Sequence, residues 1–192
     1  ENLGRLFDAL RESGLERDTL LIFMGDNGTA GGAGAKPGDG FNAGMRGKKG
    51  SVHEGGHRVA CFVRWPARFK GGAKVNALTC HRDWLPTLIE LCGLNAPSDV
   101  KFDGQSIVPL LDGNAKDWPE RTLFIERQAD EIQMGTLDSD AVPFAVLTET
   151  WRMVNGELYD IRNDPGQTRN VAAQHPEVVH RLFSAYQSHH AD

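Results

Sequence analysis

The sequence predicts an α/β fold, closed by a small antiparallel sheet packed on a C-terminal helix. Three observations predict it. A helical apolar spacing at Leu3, Leu6, Phe7 and Leu10 is followed by the short apolar run TLLIFM at 19–24. A strand-like stretch, HRVACFVRWP at 57–66, leads on to the amphipathic RDWLPTLIELC at 82–92. From about residue 95 the pattern changes to short apolar pieces parted by Asp-Gly, Asn-Gly and Pro-containing turns.

Each element has a physical reason. Residues three and four apart share one helix face, so the first spacing reads as a helix, which Gly14 stops. The run 19–24 is too short for an independent helix; after a helix it suits a strand buried on both faces of a mainly parallel sheet. Residues 25–56 hold 12 of the 22 glycines in the chain, and this density predicts one long loop without regular structure. The stretch 57–66 alternates and ends at Pro66. In the 82–92 helix, Pro86 falls in the first turn or marks a bend, and Gly93 ends the element. Beyond 95 the apolar pieces are Ile107–Leu111, Leu123–Ile125, Phe144–Leu147 and Trp151–Val154. Asn155-Gly156 between WRMV and ELYD reads as a tight hairpin. A last helix, about Pro176–His190, carries Val178, Val179, Leu182, Phe183 and Tyr186 on one face, with His189 and His190 as a frayed end. The boundary near 95 divides the chain into an α/β part, 1–95, and a small α+β part, 96–192.

Bulk properties narrow the function classes. The chain has 192 residues, 40% of them hydrophobic and 24% charged, which suits a globular protein with a sizeable core. A net charge of −5 gives no general basic face for nucleic acid. No apolar run approaches the roughly 18 residues that a spanning helix requires. The three cysteines, Cys61, Cys80 and Cys92, show no metal-ligand spacing and read as buried free thiols.

Two stretches carry chemistry. GDNGTAGG at 25–32 places Asp26 and Asn27 where an apolar strand runs out into the glycine-rich loop. Ligands of open parallel sheets bind beyond the carboxyl ends of strands. Side-chain oxygens of mixed charge suit a hard cation, Ca²⁺ or Mg²⁺, and the six to eight oxygens of a calcium site require further donors from elsewhere. D-N-G by itself also fits an ordinary turn. The second stretch, MRGKKGSVHEGGHRV at 45–59, packs four cations, two histidines and four glycines into 15 residues. Its glycines let backbone approach a ligand and its lysines can reach an oxyanion, although a solvated basic loop also fits. Glu54-Gly55-Gly56 reads as a structural corner. A metal ion and a lysine facing one anionic group suit phosphoryl or sulfuryl transfer.

The ordered series TLLIFMGDNG, MRGKKGSVHEGGHRV, CHRDWLPTLIELCGL, FDGQSIVPLLDG and GELYDIRNDPGQTRNVAAQHPEV resembles the C-terminal part of the type I, formylglycine-dependent sulfatases, the arylsulfatase family within the alkaline phosphatase superfamily. The resemblance covers nearly the whole chain. It implies an alkaline-phosphatase-like sheet with flanking helices, of which 1–95 is the C-terminal part. It implies that Asp26 and Asn27 are ligands of an active-site calcium, or magnesium. It places the sulfate-binding, catalytic lysine of the pattern R-G-x-K-G-x-x-[Y/W]-E-G-G-x-R on Lys49. His53 stands where the family has an aromatic; it is the second candidate substrate contact, with a packed or solvent-facing imidazole as the alternative. Glu54, Gly55, Gly56 and Arg58 match structural positions. Glu157, Asp160 and Asp164 read as turn and cap residues, not metal ligands.

The formylglycine precursor motif C/S-x-P-x-R occurs nowhere in the sequence, nor do the paired aspartates, histidines and second lysine that the family carries upstream. The resemblance therefore implies that the missing N-terminal part completes the site, and that these 192 residues alone do not turn over. The implied reaction is hydrolysis of a sulfate ester, by attack of hydrated formylglycine on sulfur. Substrates would be sulfated sugars or glycans, steroids or aryl sulfates, in a periplasmic, lysosomal or secreted setting. Two alternatives stay open: a phosphodiester or phosphonate monoester hydrolase of the same superfamily, and a non-catalytic fragment that binds an anion or glycan.

Overall fold

The computed structural model describes residues 1–31, 40–116, 118–126 and 143–190. The glycine-rich prediction for 32–39 lies outside the described residues. In order, the regular elements are α1 (Asn2–Glu12), β1 (Leu21–Met24), α2 (Glu54–His57), β2 (Cys61–Arg64), α3 (Trp84–Leu91), α4 (Val108–Leu111), β3 (Leu123–Glu126), β4 (Phe144–Leu147), β5 (Trp151–Val154), β6 (Glu157–Asp160) and α5 (Pro176–His189). The described residues fall into two compact units, one of 1–23 and 61–119, the other of 24–60 and 120–192.

In the first unit α1 starts and stops as its spacing predicts, and Gly14 takes a left-handed φ of +72° just past its end. β1 pairs with β2 in a two-stranded sheet. The expectation that β1 is buried on both faces is not met: Leu21 and Ile22 are half-buried, while Phe23 and Met24 are exposed. Among the described residues β1 has one partner strand, and two strands cannot cover both of their own faces. α3 holds Pro86 at its third position, where a missing N–H costs no intrahelical bond. The apolar piece 107–111 is helical, with Pro109 in its first turn. Its entry is fixed by Thr87, whose buried hydroxyl donates to the Asp83 carbonyl and accepts the Ile107 N–H at 3.0 Å. Cys61 and Cys92 are exposed, against the expectation of buried thiols. A thiol among apolar neighbours in sequence is not shielded when its own strand or helix end lies at a surface.

The second unit contains the four-stranded antiparallel sheet β3-β4-β5-β6. Asn155 (φ +48°) and Gly156 (φ +87°) join β5 to β6 through two successive left-handed residues, the backbone of a type I′ hairpin. Val146, Met153 and Leu158 of the sheet pack with Val171, and with Val178 and Leu182 of α5. Each such side chain contributes roughly 1.5–3 kcal/mol by leaving water. His189 and His190 are not a frayed end. His189 stacks on Phe124 with ring centroids 4.3 Å apart, and His190 Nε2 lies 2.6 Å from Glu126 Oε1. Phe124 on β3 and Phe144 on β4 give the last helical turn something to pack on.

Candidate functional site

All four candidate residues belong to the second unit. Directly after β1 the chain runs through Asp26, which is exposed, and Asn27, which is half-buried. Asn27 Nδ2 donates to Asp26 Oδ2 at 2.7 Å. That bond uses the amide nitrogen, so the oxygen is the Asn27 atom left to face a cation. The donor set is therefore all oxygen, with one formal charge, which fits part of a site for a hard ion. Among the described residues no cluster of three or more His, Cys, Asp and Glu forms a complete metal site. The pair supplies two donors of the six or more that calcium requires.

The segment 45–58 lies against this loop through backbone. Gly28 N donates to Gly56 O at 2.9 Å, and Lys49 N donates to Thr29 O at 3.1 Å. Ser51 N closes a turn on Lys48 O at 2.8 Å, with Gly50 at φ +83° in its third position. Lys49 occupies the exposed corner of that turn. The loops touch so closely that a Cβ built on Gly28 would stand 1.8 Å from Gly55 O, and within the 45–58 segment one on Gly56 would stand 1.9 Å from Ser51 O. The structure thus brings the 26–29 and 48–51 segments side by side. Gly28 serves this loop-to-loop approach, while a Cβ on Gly50 would meet nothing within 4 Å.

His53 is half-buried. Its Nδ1 lies 3.2 Å from Ser51 Oγ, and its Nε2 is buried with no hydrogen-bond partner among the described residues. Burial first, then the Arg46 charge, lowers the pKa of this imidazole below its ordinary value. His57 is lowered as well, chiefly by burial, and its Nε2 meets the Val52 carbonyl at 3.2 Å. Both shifts favour the uncharged ring, so the two imidazoles add polarity to the segment more than charge.

Residues 54–57 are not loop. They form α2, a single turn containing two glycines, which has no stability of its own. It is held by contacts that no local pattern announces. Glu54 is 1% exposed and its carboxylate takes Arg152 Nε at 2.5 Å and Arg58 Nη1 at 3.1 Å. Its backbone N–H donates to Gln167 Oε1 at 2.8 Å. Burial raises the Glu54 carboxyl, but the Arg152 guanidinium, joined by His57 and Arg58, outweighs that and holds it below the usual carboxylate value. A second link joins Arg46 Nη1 to the Tyr159 hydroxyl at 2.7 Å, with Tyr159 in turn bonded to Glu157. Arg152, Gln167 and Tyr159 lie about a hundred residues from their partners, a separation that only the folded chain closes. Asp160 and Asp164 do serve turns, accepting the Arg162 N–H and the Thr168 and Arg169 N–H groups respectively. Glu157 departs from the turn expectation, since it also pairs with Arg46 at 3.6 Å.

Comparison with known proteins supplies the context. Residues 1–94 match the family model described as Sulfatase. The chain is 40% identical over 126 residues to the steryl-sulfatase of Mus musculus, covering 64% of this chain and 20% of that protein. It is 30% identical over 203 residues to arylsulfatase A of Homo sapiens, covering 94% and 39% respectively. A solved structure concerned with the metabolism of multiple glycosaminoglycans by Bacteroides thetaiotaomicron superposes with a TM-score of 0.77 at 28% identity, covering 98% of this chain and 42% of that one. The chain spans about a fifth to two fifths of the length of these curated relatives. Its mixed architecture is that of the alkaline-phosphatase-like sulfatases.

Proposed function

We propose that this chain, which belongs to the sulfatase family, carries the cation-binding and anion-neutralising part of a sulfate-ester hydrolase. The observation that carries the reading is the pairing of the two loops. Lys49 N bonds Thr29 O, two residues beyond Asn27, so the charged turn and the oxygen-donor pair are built on adjoining backbone. In this reading Asp26 and Asn27 hold a calcium ion, with magnesium as the substitute. When bound, the ion supplies charge neutralisation at the sulfate oxygens. Lys49 places a point charge against the same sulfate oxygens, offsetting the negative charge that would repel an attacking nucleophile. His53 contributes an uncharged imidazole to the wall of the site. The nucleophile, a formylglycine, would come from residues outside this sequence. Sulfated sugars, sulfated glycans and aryl sulfates are the proposed substrate classes.

The test uses the full-length protein with an aryl sulfate and a 6-O-sulfated amino sugar, each beside its phosphate-ester counterpart. Lys49→Ala should lower kcat/KM by about 10²–10³-fold on the preferred sulfate ester. Asp26→Asn should raise the calcium concentration needed for half-maximal rate. Unchanged activity in Lys49→Ala would overturn the reading. Preference for the phosphate ester would favour a phosphodiester or phosphonate monoester hydrolase. The 192 residues alone should not turn over; sulfate-ester hydrolysis by them, lost on Lys49→Ala, would refute the proposed outside nucleophile.

A further inference from the structure

Four structural facts converge on Glu54. Its carboxylate is buried and grips Arg152 Nε of β5. Arg152 is itself 6% exposed, and its Nη1 donates to the Thr148 and Trp151 carbonyls, so the guanidinium is locked to the sheet on its far side. The Glu54 backbone N–H is taken by Gln167, a fully buried residue at φ +52°. A non-glycine residue held in the left-handed region by its surroundings is a mark of imposed geometry. Finally, α2 begins at Glu54, and its two glycines are the residues against which both site loops rest. Gly55 N bonds Arg46 O at 2.7 Å, and Gly56 O receives Gly28 N.

We propose that Arg152 and Gln167 are positioning residues for the candidate site: by clamping Glu54 they fix α2, and through Gly55 and Gly56 they set the spacing between the Asp26-Asn27 loop and the Lys49 turn. The argument is mechanical. A one-turn helix with two glycines has no intrinsic preference to stay formed. The backbone bonds it offers to residues 28 and 46 keep their geometry only while its first residue is held. Arg is suited to the task because its planar fork can bind a carboxylate and two carbonyls at once. Gln167 adds a neutral anchor to the same residue, so Glu54 is held by two long-range contacts of different chemistry, beside its local pair with Arg58.

This inference rests on the reading of Lys49 given above, and a double-mutant cycle separates the two. In the full-length protein, Arg152→Met and Gln167→Leu are each made alone and in the Lys49→Ala background, and assayed well below their melting temperatures. A displaced loop should lower kcat/KM by about 10- to 100-fold in either single variant. In the Lys49→Ala background the same substitutions should cost less than about threefold, because the lysine they position is gone. Arg152→Lys should recover part of the loss. Arg162→Ala, which removes an exposed guanidinium from a surface pair with half-buried Glu149, should change nothing. Should Arg152→Met fail to fold, Gln167→Leu decides by the same criterion, since it leaves no buried charge unpaired. Equal losses in both backgrounds, or a lowered melting temperature with unchanged kcat/KM, would overturn the positioning role. Full activity in Lys49→Ala would instead overturn the underlying site reading, and this inference with it.

Discussion

Replacing Gly28 by Ala tests the loop-to-loop contact on which the proposed site rests. The added Cβ would stand 1.8 Å from Gly55 O, 2.8 Å from Gly55 C and 3.1 Å from Gly56 Cα. Real Cβ atoms essentially never come within 3.0 Å of such neighbours, so the loops must part by more than an ångström. The obstacle is backbone, which cannot swing aside as a side-chain tip can. The Gly28–Gly56 hydrogen bond, 2.9 Å long, is then stretched beyond useful range. Its loss costs about 0.5–1.5 kcal/mol, and overpacking adds about 1–3 kcal/mol, giving roughly 1.5–4.5 kcal/mol in all. An ångström of displacement at reacting groups costs on the order of 100-fold in rate. The assay is urea denaturation followed by circular dichroism, paired with kcat/KM in the full-length protein. The control is the same chemical change at Gly4, which lies in α1 with nothing within 4 Å of the added methyl. There Gly→Ala should stabilise by about 0.5–1 kcal/mol, because glycine loses more freedom in a helix. A Gly28→Ala variant with wild-type midpoint and rate would refute the claim that these backbones touch.

Three further outcomes follow from the structure. The chain has two tyrosines, Tyr159 and Tyr186, and each is pushed up to about 12, chiefly by burial and then by a hydrogen bond to Glu157 or Glu126. Raised acids of this kind stabilise the fold below about pH 10 and lose that contribution as pH rises toward 12. Absorbance at the tyrosinate band should therefore stay flat through the ordinary tyrosine range, and an early titration would count against both hydrogen bonds. Glu126 is held below its ordinary carboxylate value, first by the Tyr186 hydroxyl and further by His190. Its contribution is present at neutral pH and fades as pH falls through the lowered folded value, so Tyr186→Phe should destabilise at pH 7, with the gap to wild type closing in acid; a gap independent of pH would show that the hydroxyl does not act through Glu126. At the β5–β6 turn, Gly156→Ala forces a side chain to φ +87° and should cost about 1 kcal/mol or more in thermal stability, while a neutral result would exclude the type I′ turn.

The parts of this fold that the sequence discloses are those governed by neighbours along the chain. Asn155-Gly156 forms the hairpin because two left-handed residues suit those types at that spacing. The α5 stripe, Val178 with Leu182, is buried as its helical spacing requires. Asp26 and Asn27 do follow a strand end, as the apolar run before them requires. What failed depended on the surroundings of an element. The sequence at 19–24 specifies a strand but not how many strands flank it, and Phe23 is accordingly exposed. Cys61 and Cys92 share this error, since apolar neighbours in sequence do not decide which face meets water.

The most consequential omission is the clamp on Glu54. Its identity as a corner residue was readable, but its partners were not, because a buried carboxylate can be answered by any of the arginines in the chain. Folding selects Arg152 because β5 is held in register by the hairpin, Val154 facing Glu157 and Trp151 facing Asp160. Arg152 thus lies opposite Tyr159, and Tyr159 bonds Arg46 at the start of the same glycine-rich segment. One cross-strand pair therefore supports residues 46 and 54, the two ends of the segment that contains Lys49. The small antiparallel sheet is more than a closing cap in this arrangement. Its register determines where the charged turn is anchored, so a slip of one residue at Asn155-Gly156 would send Arg152 to the opposite face and unseat Glu54. Lengthening the turn by a single residue should then reproduce the kinetic phenotype of Arg152→Met, although the insertion lies far from Lys49 in sequence. Retained activity in that insertion variant would show that the turn segment holds its shape without the sheet.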